Sequence, residues 1–163
     1  MTDLPPQTKG GEGYIFINLN RGKKSITLNI RSERGREICK ELAKKADVVA
    51  ENFTPGVMDR LGLSYEGFRK INPQIIYASL SGFGHTGPRS HYAAFDIVGQ
   101  ATGGLMSITG FRDGTPTKAG AGIADFFVGI FTASSILAAL HYRTRAGEGQ
   151  YIDISMQDCM WVI

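Results

Sequence analysis

Residues 46–88 read ADVVAENFTPGVMDRLGLSYEGFRKINPQIIYASLSGFGHTGP. Val48, Val49 and Ala50 form a short apolar run that predicts a buried strand. Asn52-Phe53-Thr54-Pro55-Gly56 follows at its carboxyl end and punctuates it as a loop. A small helix over Val57–Leu61 and a second over Tyr65–Ile71 lead to another strand, Ile75–Leu80. Strands alternating with short helices predict an α/β fold with a parallel, Rossmann-like sheet. Such sheets bind ligands outside the carboxyl ends of their strands, which directs attention to residues 51–56 and 81–88.

Towards the amino terminus, Ser32 is placed to cap a helix, with Glu33 and Glu37 near its positive end. Ile38, Leu42 and Ala46 share one face of that helix, and Glu41 pairs with Lys45 at i,i+4. Tyr14–Leu19 and Ser25–Ile30 read as strands, the second because Ile26, Leu28 and Ile30 alternate with polar residues. Residues 1–13, rich in proline, glycine and polar groups, read as a loop.

Towards the carboxyl terminus, Phe95–Ser107 reads as a helix and Thr109–Lys118 as a turn-rich excursion. Gly120–Asp125 leads into an apolar helix over Phe126–Tyr142, closed by Arg143, Arg145 and Gly147. Tyr151–Ser155 alternates as a half-buried strand. Ser155 with Asp158 has the form of a capping box opening a last helix. Residues 1–163 read as a single α/β domain without repeats, 1–13 as its leading loop and 14–163 as a core segment.

Gly82-Phe83-Gly84-His85-Thr86-Gly87 matches the spacing of a dinucleotide fingerprint. That fingerprint requires a helix at once and an acidic residue about 20 positions on. Pro88-Arg89-Ser90-His91 follows instead, and position 107 is serine. The segment is better read as a glycine-rich loop closing over a ligand or intermediate.

The net charge of +3 lacks the clustered excess of a nucleic-acid binder. Arg21, Lys23 and Lys24 are the one dense basic group, suited to a solvated turn or a small polyphosphate. Cys39 and Cys159 are far apart, and His85, His91 and His141 lack a metal-ligand spacing, so neither disulfide framework nor zinc site is expected. The uncharged, mostly apolar run Phe126–Leu140 has 15 residues, short of the roughly 20 that span a bilayer. With no secretory signal in the sequence, a reducing cytoplasm and no membrane partner are the expectation.

Asp125 stands at the first turn of the apolar helix, behind small residues. An aspartate there is first of all a cap. The same helix terminus favours an ionised carboxylate, and an accessible carboxylate is a competent nucleophile towards an acyl group. Local sequence leaves both readings open.

Taken together, Asn18–Ile30, Ala46–Gly62, Asn72–Pro88, Phe95–Gly104, Gly120–Asp125 and Arg143–Asp158 are similar to the family III coenzyme A transferases. The most specific pieces are ADVVAENFTPG at 46–56, RLG at 60–62, GFGHTGP at 82–88 and GEGQ at 147–150, followed by Asp153, Ser155, Met156 and Asp158. The resemblance implies transfer of CoA from an acyl-CoA to a carboxylic acid through aspartyl anhydride and thioester intermediates. Coenzyme A is then a substrate, and no permanently bound cofactor is implied. Asp125 occupies the position of the catalytic aspartate. Leu28 and Arg31 align with positions flanking the adenosine end of CoA, Asn52 and Phe53 with positions touching its backbone, and Arg60 with a phosphate-contacting arginine. Asp96 matches an acidic position of the family. The resemblance further implies an interlaced homodimer for the full-length protein, with additional segments before and after the present ones.

Related α-methylacyl-CoA racemases use a histidine beside an acid where this chain has Phe95-Asp96. Phenylalanine can exchange no proton, which favours transferase over racemase. Ala93 stands where formyl-CoA transferases place a CoA-contacting lysine, so that substrate is not implied. The alternative of another class is a non-catalytic piece that binds CoA or associates with other chains.

Overall fold

A computed structural model of the chain describes residues 11–161. The reading of residues 1–10 as loop, and the last two residues, lie outside the described residues. Three parallel strands, β1 (Val48–Glu51), β2 (Ile76–Ser81) and β3 (Tyr151–Ser155), form a sheet in the order β1-β2-β3. Val48 pairs with Ile76 and Tyr77 with Tyr151. The central strand is buried from Ile76 to Ser79, as a parallel strand covered on both faces must be.

Alternation along the strands divides the core in two. Val49 and Tyr77 face Ala43, Leu63, Phe68 and Ile75, supplied by or next to α2 (Glu33–Ala43), α3 (Val57–Arg60) and α4 (Tyr65–Ile71). Leu80 and Ile154 face Ala124, Val128, Cys159 and Met160 of α6 (Ile123–Ala146) and α7 (Met156–Trp161). The helices start where their caps dictate. Ser32 Oγ accepts from the Gly35 amide at 3.0 Å and Ser64 Oγ from Gly67 at 3.2 Å. Ser155 Oγ accepts from Asp158 at the head of α7, as the capping-box spacing predicts.

Four expectations are revised. Tyr14–Leu19 is not a strand but helix α1 (Tyr14–Asn20), whose last turn is closed by Asn20 Nδ2 donating to the Phe16 carbonyl at 2.8 Å. Residues 25–30 join no sheet; Ile30 packs on the first core cluster while Ile26 is 64% exposed. Alternation tells which side chains share a side, but a strand also needs a partner ladder, and these residues have none. In α2, Leu42 is half exposed and Ala43 takes the core position, and Glu41 pairs with Lys44 at i,i+3 (2.6 Å) rather than with Lys45. Finally, the helix expected over Phe95–Ser107 divides into α5 (Asp96–Thr102) and a 3-10 turn at Leu105–Ser107, because Gly104 turns the chain at φ 91.

Helix α6 is longer than the uncharged run suggested. Its 24 residues are long and apolar enough to cross a membrane by length and composition. Here it lies on the sheet, burying Ala124, Val128, Thr132 and Ala139. Arg143 pins its far end: Nη2 pairs with Asp47 Oδ1 at 2.8 Å and Nη1 donates to the Gln74 carbonyl at 3.2 Å. Asp47 and Gln74 precede β1 and β2, so the carboxyl end of α6 sits at the amino edge of the sheet. Its amino end, about 30 Å from Arg143 at about 1.5 Å per residue, therefore reaches past the carboxyl edge.

Asn72 ties the two halves of this layer together. Its Nδ2 donates to the carbonyls of Ala43 and Ala46, at 3.1 and 3.0 Å, where α2 ends. Asn72→Ala strands those carbonyls and is expected to cost about 1–2 kcal/mol. A urea midpoint unchanged from the parent would contradict that role.

Candidate active site

Asp125 is the third residue of α6, at the carboxyl edge of the sheet, where both watched loops also lie. Its carboxylate is exposed and takes part in no hydrogen bond among the described residues. Burial of part of the group and the neighbouring Asp96 push its pKa up, against the opposing pull of Lys118. The helix terminus therefore does not leave Asp125 more acidic than an ordinary aspartate, contrary to the expectation from its position alone.

Asp96, at the first turn of α5, is committed on both oxygens. Oδ1 accepts from the Ala124 amide at 2.9 Å and so caps α6; Oδ2 accepts from Gln100 Nε2 at 2.8 Å and pairs with Lys118 Nζ at 3.2 Å. Gln100, fully buried one turn on, accepts from the Ala119 amide at 2.9 Å and donates to the Ala121 carbonyl at 3.2 Å. A Cβ placed on Gly122 would lie 3.7 Å from Asp125 Oδ2 and 3.8 Å from Asp96 Oδ1, so the two carboxylates flank one point of backbone. Asp96 thus holds the platform on which Asp125 stands.

The other sequence-derived residues fall into two groups. Asn52 and Phe53 are exposed on the β1–α3 connection, with Arg60 exposed at the end of α3. The Phe53 amide donates to Glu51 Oε2 at 2.8 Å, which fixes the loop and turns the ring out of the core. Leu28, half-buried, and Arg31, exposed, precede α2. Arg31 accepts through its carbonyl from Arg36 Nη1 at 2.7 Å, leaving its own guanidinium directed to solvent. Arg21, Lys23 and Lys24 are exposed on a turn after α1.

The glycine-rich segment 82–87 opens no helix; Pro88–His91 form a turn and α5 begins only at Asp96. The loop is tied to the sheet by a polar network. Ser79 Oγ donates to Glu51 Oε1, and His85 Nε2 lies 2.6 Å from the same hydroxyl. A hydroxyl has one proton, so His85 supplies the second and carries its own on Nε2. The His85 amide donates to Asp153 Oδ2 at 2.9 Å. Glu51, Ser79 and Asp153 stand side by side in the strand register, so the sheet presents one polar row to both loops.

Beside this row lies a cavity of about 250 Å³, lined among others by Glu51, Asp59, Glu66, Tyr65, Tyr77 and Tyr151. Burial, with Asp153, pushes the Tyr151 phenol up to about 12, so it stays neutral. Three carboxylates make this cavity unsuited to phosphate. The side chains that match phosphate, Arg31 and Arg60, are exposed outside it. The cavity belongs to the sheet face opposite α6 and does not include Asp125.

Sequence reasoning missed Gln100 and Lys118. The i,i+4 spacing of Asp96 and Gln100 was a legible hint; Lys118, within a turn-rich stretch, gave none.

The family model for CoA-transferase family III matches residues 1–163. The chain is similar to an acetyl-CoA:oxalate CoA-transferase of Acetobacter aceti, 52% identical over 150 residues that cover 91% of this chain and 39% of that protein. It is 49% identical to a formyl-CoA:oxalate CoA-transferase of Streptomyces coelicolor, covering 96% of this chain and 37% of that protein. The crystal structure of a CAIB/BAIF family protein from Brucella suis superposes with a TM-score of 0.90 at 46% identity, covering 93% of this chain and 40% of that one. The chain thus spans about two-fifths of the length of the relatives it matches.

Proposed function

The chain belongs to CoA-transferase family III, and from that membership we propose that it carries the nucleophile of a CoA transfer between an acyl-CoA and a carboxylic acid. The observation that carries this reading is the state of Asp125: an exposed carboxylate, free of hydrogen bonds among the described residues, on a helix end fixed by Asp96. A carboxylate meant only to cap would be spent on backbone amides, as Asp96 is.

In the proposed sequence, an Asp125 oxygen attacks the thioester carbonyl and the C–S bond breaks. This yields a mixed anhydride and a CoA thiolate. The thiolate attacks the Asp125 acyl carbon, releasing the donor acid as its carboxylate and leaving an aspartyl-CoA thioester. The acceptor carboxylate attacks that thioester, giving a second anhydride and the thiolate again. Attack of the thiolate on the acceptor's acyl carbon forms the new acyl-CoA and restores the Asp125 carboxylate. Each step exchanges a carboxylate for the CoA thiolate or the reverse at an acyl carbon, so Asp125, the thioester and the acceptor acid suffice. The exposed guanidinium groups of Arg31 and Arg60 are suited to the phosphates of CoA.

The test is mass spectrometry after incubation with acyl-CoA and hydroxylamine, which traps an activated carboxyl as a hydroxamate. The mass gain is expected on the peptide containing Asp125. An unmodified peptide in a protein saturated with acyl-CoA would remove Asp125 from the chemistry.

The pH dependence follows from the sign of the shift. Only the ionised carboxylate attacks, and burial with Asp96 favours the protonated form. The hydroxamate yield is therefore expected to fall, as pH decreases, at higher pH than an ordinary aspartate would give. An acid limb at or below the usual aspartate range would contradict this environment.

A further inference from the structure

The connection from the 3-10 turn to α6 has no regular structure, yet its end is held closely. Thr117 donates to the Met106 carbonyl at 3.1 Å, and Ala119 and Ala121 are clasped by the buried Gln100 amide. Lys118 adds the charged part of this clasp. Its ammonium donates to the Ala119 carbonyl at 2.8 Å and the Ala121 carbonyl at 3.1 Å, and pairs with Asp96 Oδ2 at 3.2 Å.

Two of the three ammonium protons go to these carbonyls, and the charge lies against the Asp96 carboxylate. What Lys118 contributes is a fixed positive charge beside two carboxylates that flank Gly122. Two like charges so placed oppose each other's ionisation, and a cation paired with one of them relieves the other.

We propose that Lys118 is a positioning residue for Asp125: it neutralises Asp96 and pins residues 119–121, so that Asp125 meets the substrate as the only unpaired carboxylate of the site. The functional consequence rests on the reading of Asp125 as nucleophile; the electrostatic one does not. Asp96 on α5 and Lys118 on the connection are the charged groups that act on Asp125. Elsewhere on α6 the charges, Arg143 and Arg145, lie in the last turn. On α7, packed against α6, Asp158 acts on Cys159.

Two variants separate charge from geometry. Lys118→Gln keeps amide donors for the carbonyls but loses the charge; Lys118→Arg keeps the charge. The Asp125 carboxyl carbon, assigned by its loss in Asp125→Asn, is titrated by 13C NMR in each protein, with hydroxamate yield followed against pH in parallel. Lys118→Gln is expected to move the Asp125 midpoint and the acid limb of labelling to higher pH together, with activity recovering as pH rises. Lys118→Arg is expected to keep both near the parent. A Lys118→Gln titration curve that superimposes on the parent overturns the proposal, as does an arginine variant shifted as far as the glutamine one. Shifted midpoints with no hydroxamate in any protein would uphold the role of Lys118 and reject the acyl-transfer reading instead.

Discussion

Asp125→Asn is expected to abolish hydroxamate formation and to lower CoA transfer by roughly 10⁴-fold or more, the scale seen when a covalent nucleophile is removed. The amide is isosteric with the carboxylate but cannot form the anhydride, so the loss falls on the chemical step and leaves substrate binding near its parent value. Stability should move the other way. Because the folded environment raises the Asp125 pKa, the ionised group is disfavoured in the folded state relative to the unfolded one above that pKa. Removing the charge is therefore expected to leave Tm unchanged or slightly higher at neutral pH. A rate loss accompanied by a fallen Tm would instead mark Asp125 as structural.

Gly149→Ala is expected to destabilise the fold by at least about 3 kcal/mol, a large share of the roughly 5–15 kcal/mol that holds a domain together. A Cβ there would lie 1.8 Å from the Ile75 carbonyl oxygen and 2.7 Å from the Gln74 carbonyl carbon, both backbone atoms that no rotamer change can move. The Gly149 amide donates to the Pro73 carbonyl at 2.9 Å, and the Gln150 carbonyl accepts from Tyr77 at the same distance. The substitution would thus separate β3 from β2 where their pairing begins. Gly129→Ala is the control: it lies within α6 and an added Cβ meets nothing within 4 Å. That change should stabilise by about 0.5–1 kcal/mol. Equal urea midpoints for the two variants would refute the contact at Gly149.

The sheet was legible because its signals are local. Runs such as Val48–Ala50 and Ile75–Leu80 are apolar, short and punctuated by glycine and proline, and all three strands and the helices between β1 and β2 appear where those signals place them. The amino-terminal part was misread for a physical reason. A six-residue apolar run has the same composition as helix or strand, and only the presence of a pairing partner decides. The α6 boundaries were set by groups outside its apolar stretch: Asp96 caps it before Phe126, and Gly147 ends it beyond Tyr142.

By itself, the sequence determined the α/β class, the parallel strands, and the family whose ordered motifs run through the chain; it also singled out Asp125. These follow from periodicity, turn chemistry and motif order, which are properties of neighbouring residues. Only the tertiary structure decided what surrounds Asp125 and what holds the ligand-facing loops. Asp96 and Lys118 are 22 positions apart and meet across a connection without periodicity. Glu51, Ser79 and His85 converge only through the register of β1 on β2 and the return of the glycine-rich loop. Hydrogen bonds and charges act through space, and the distances that give them their sign and size exist only once the chain has folded.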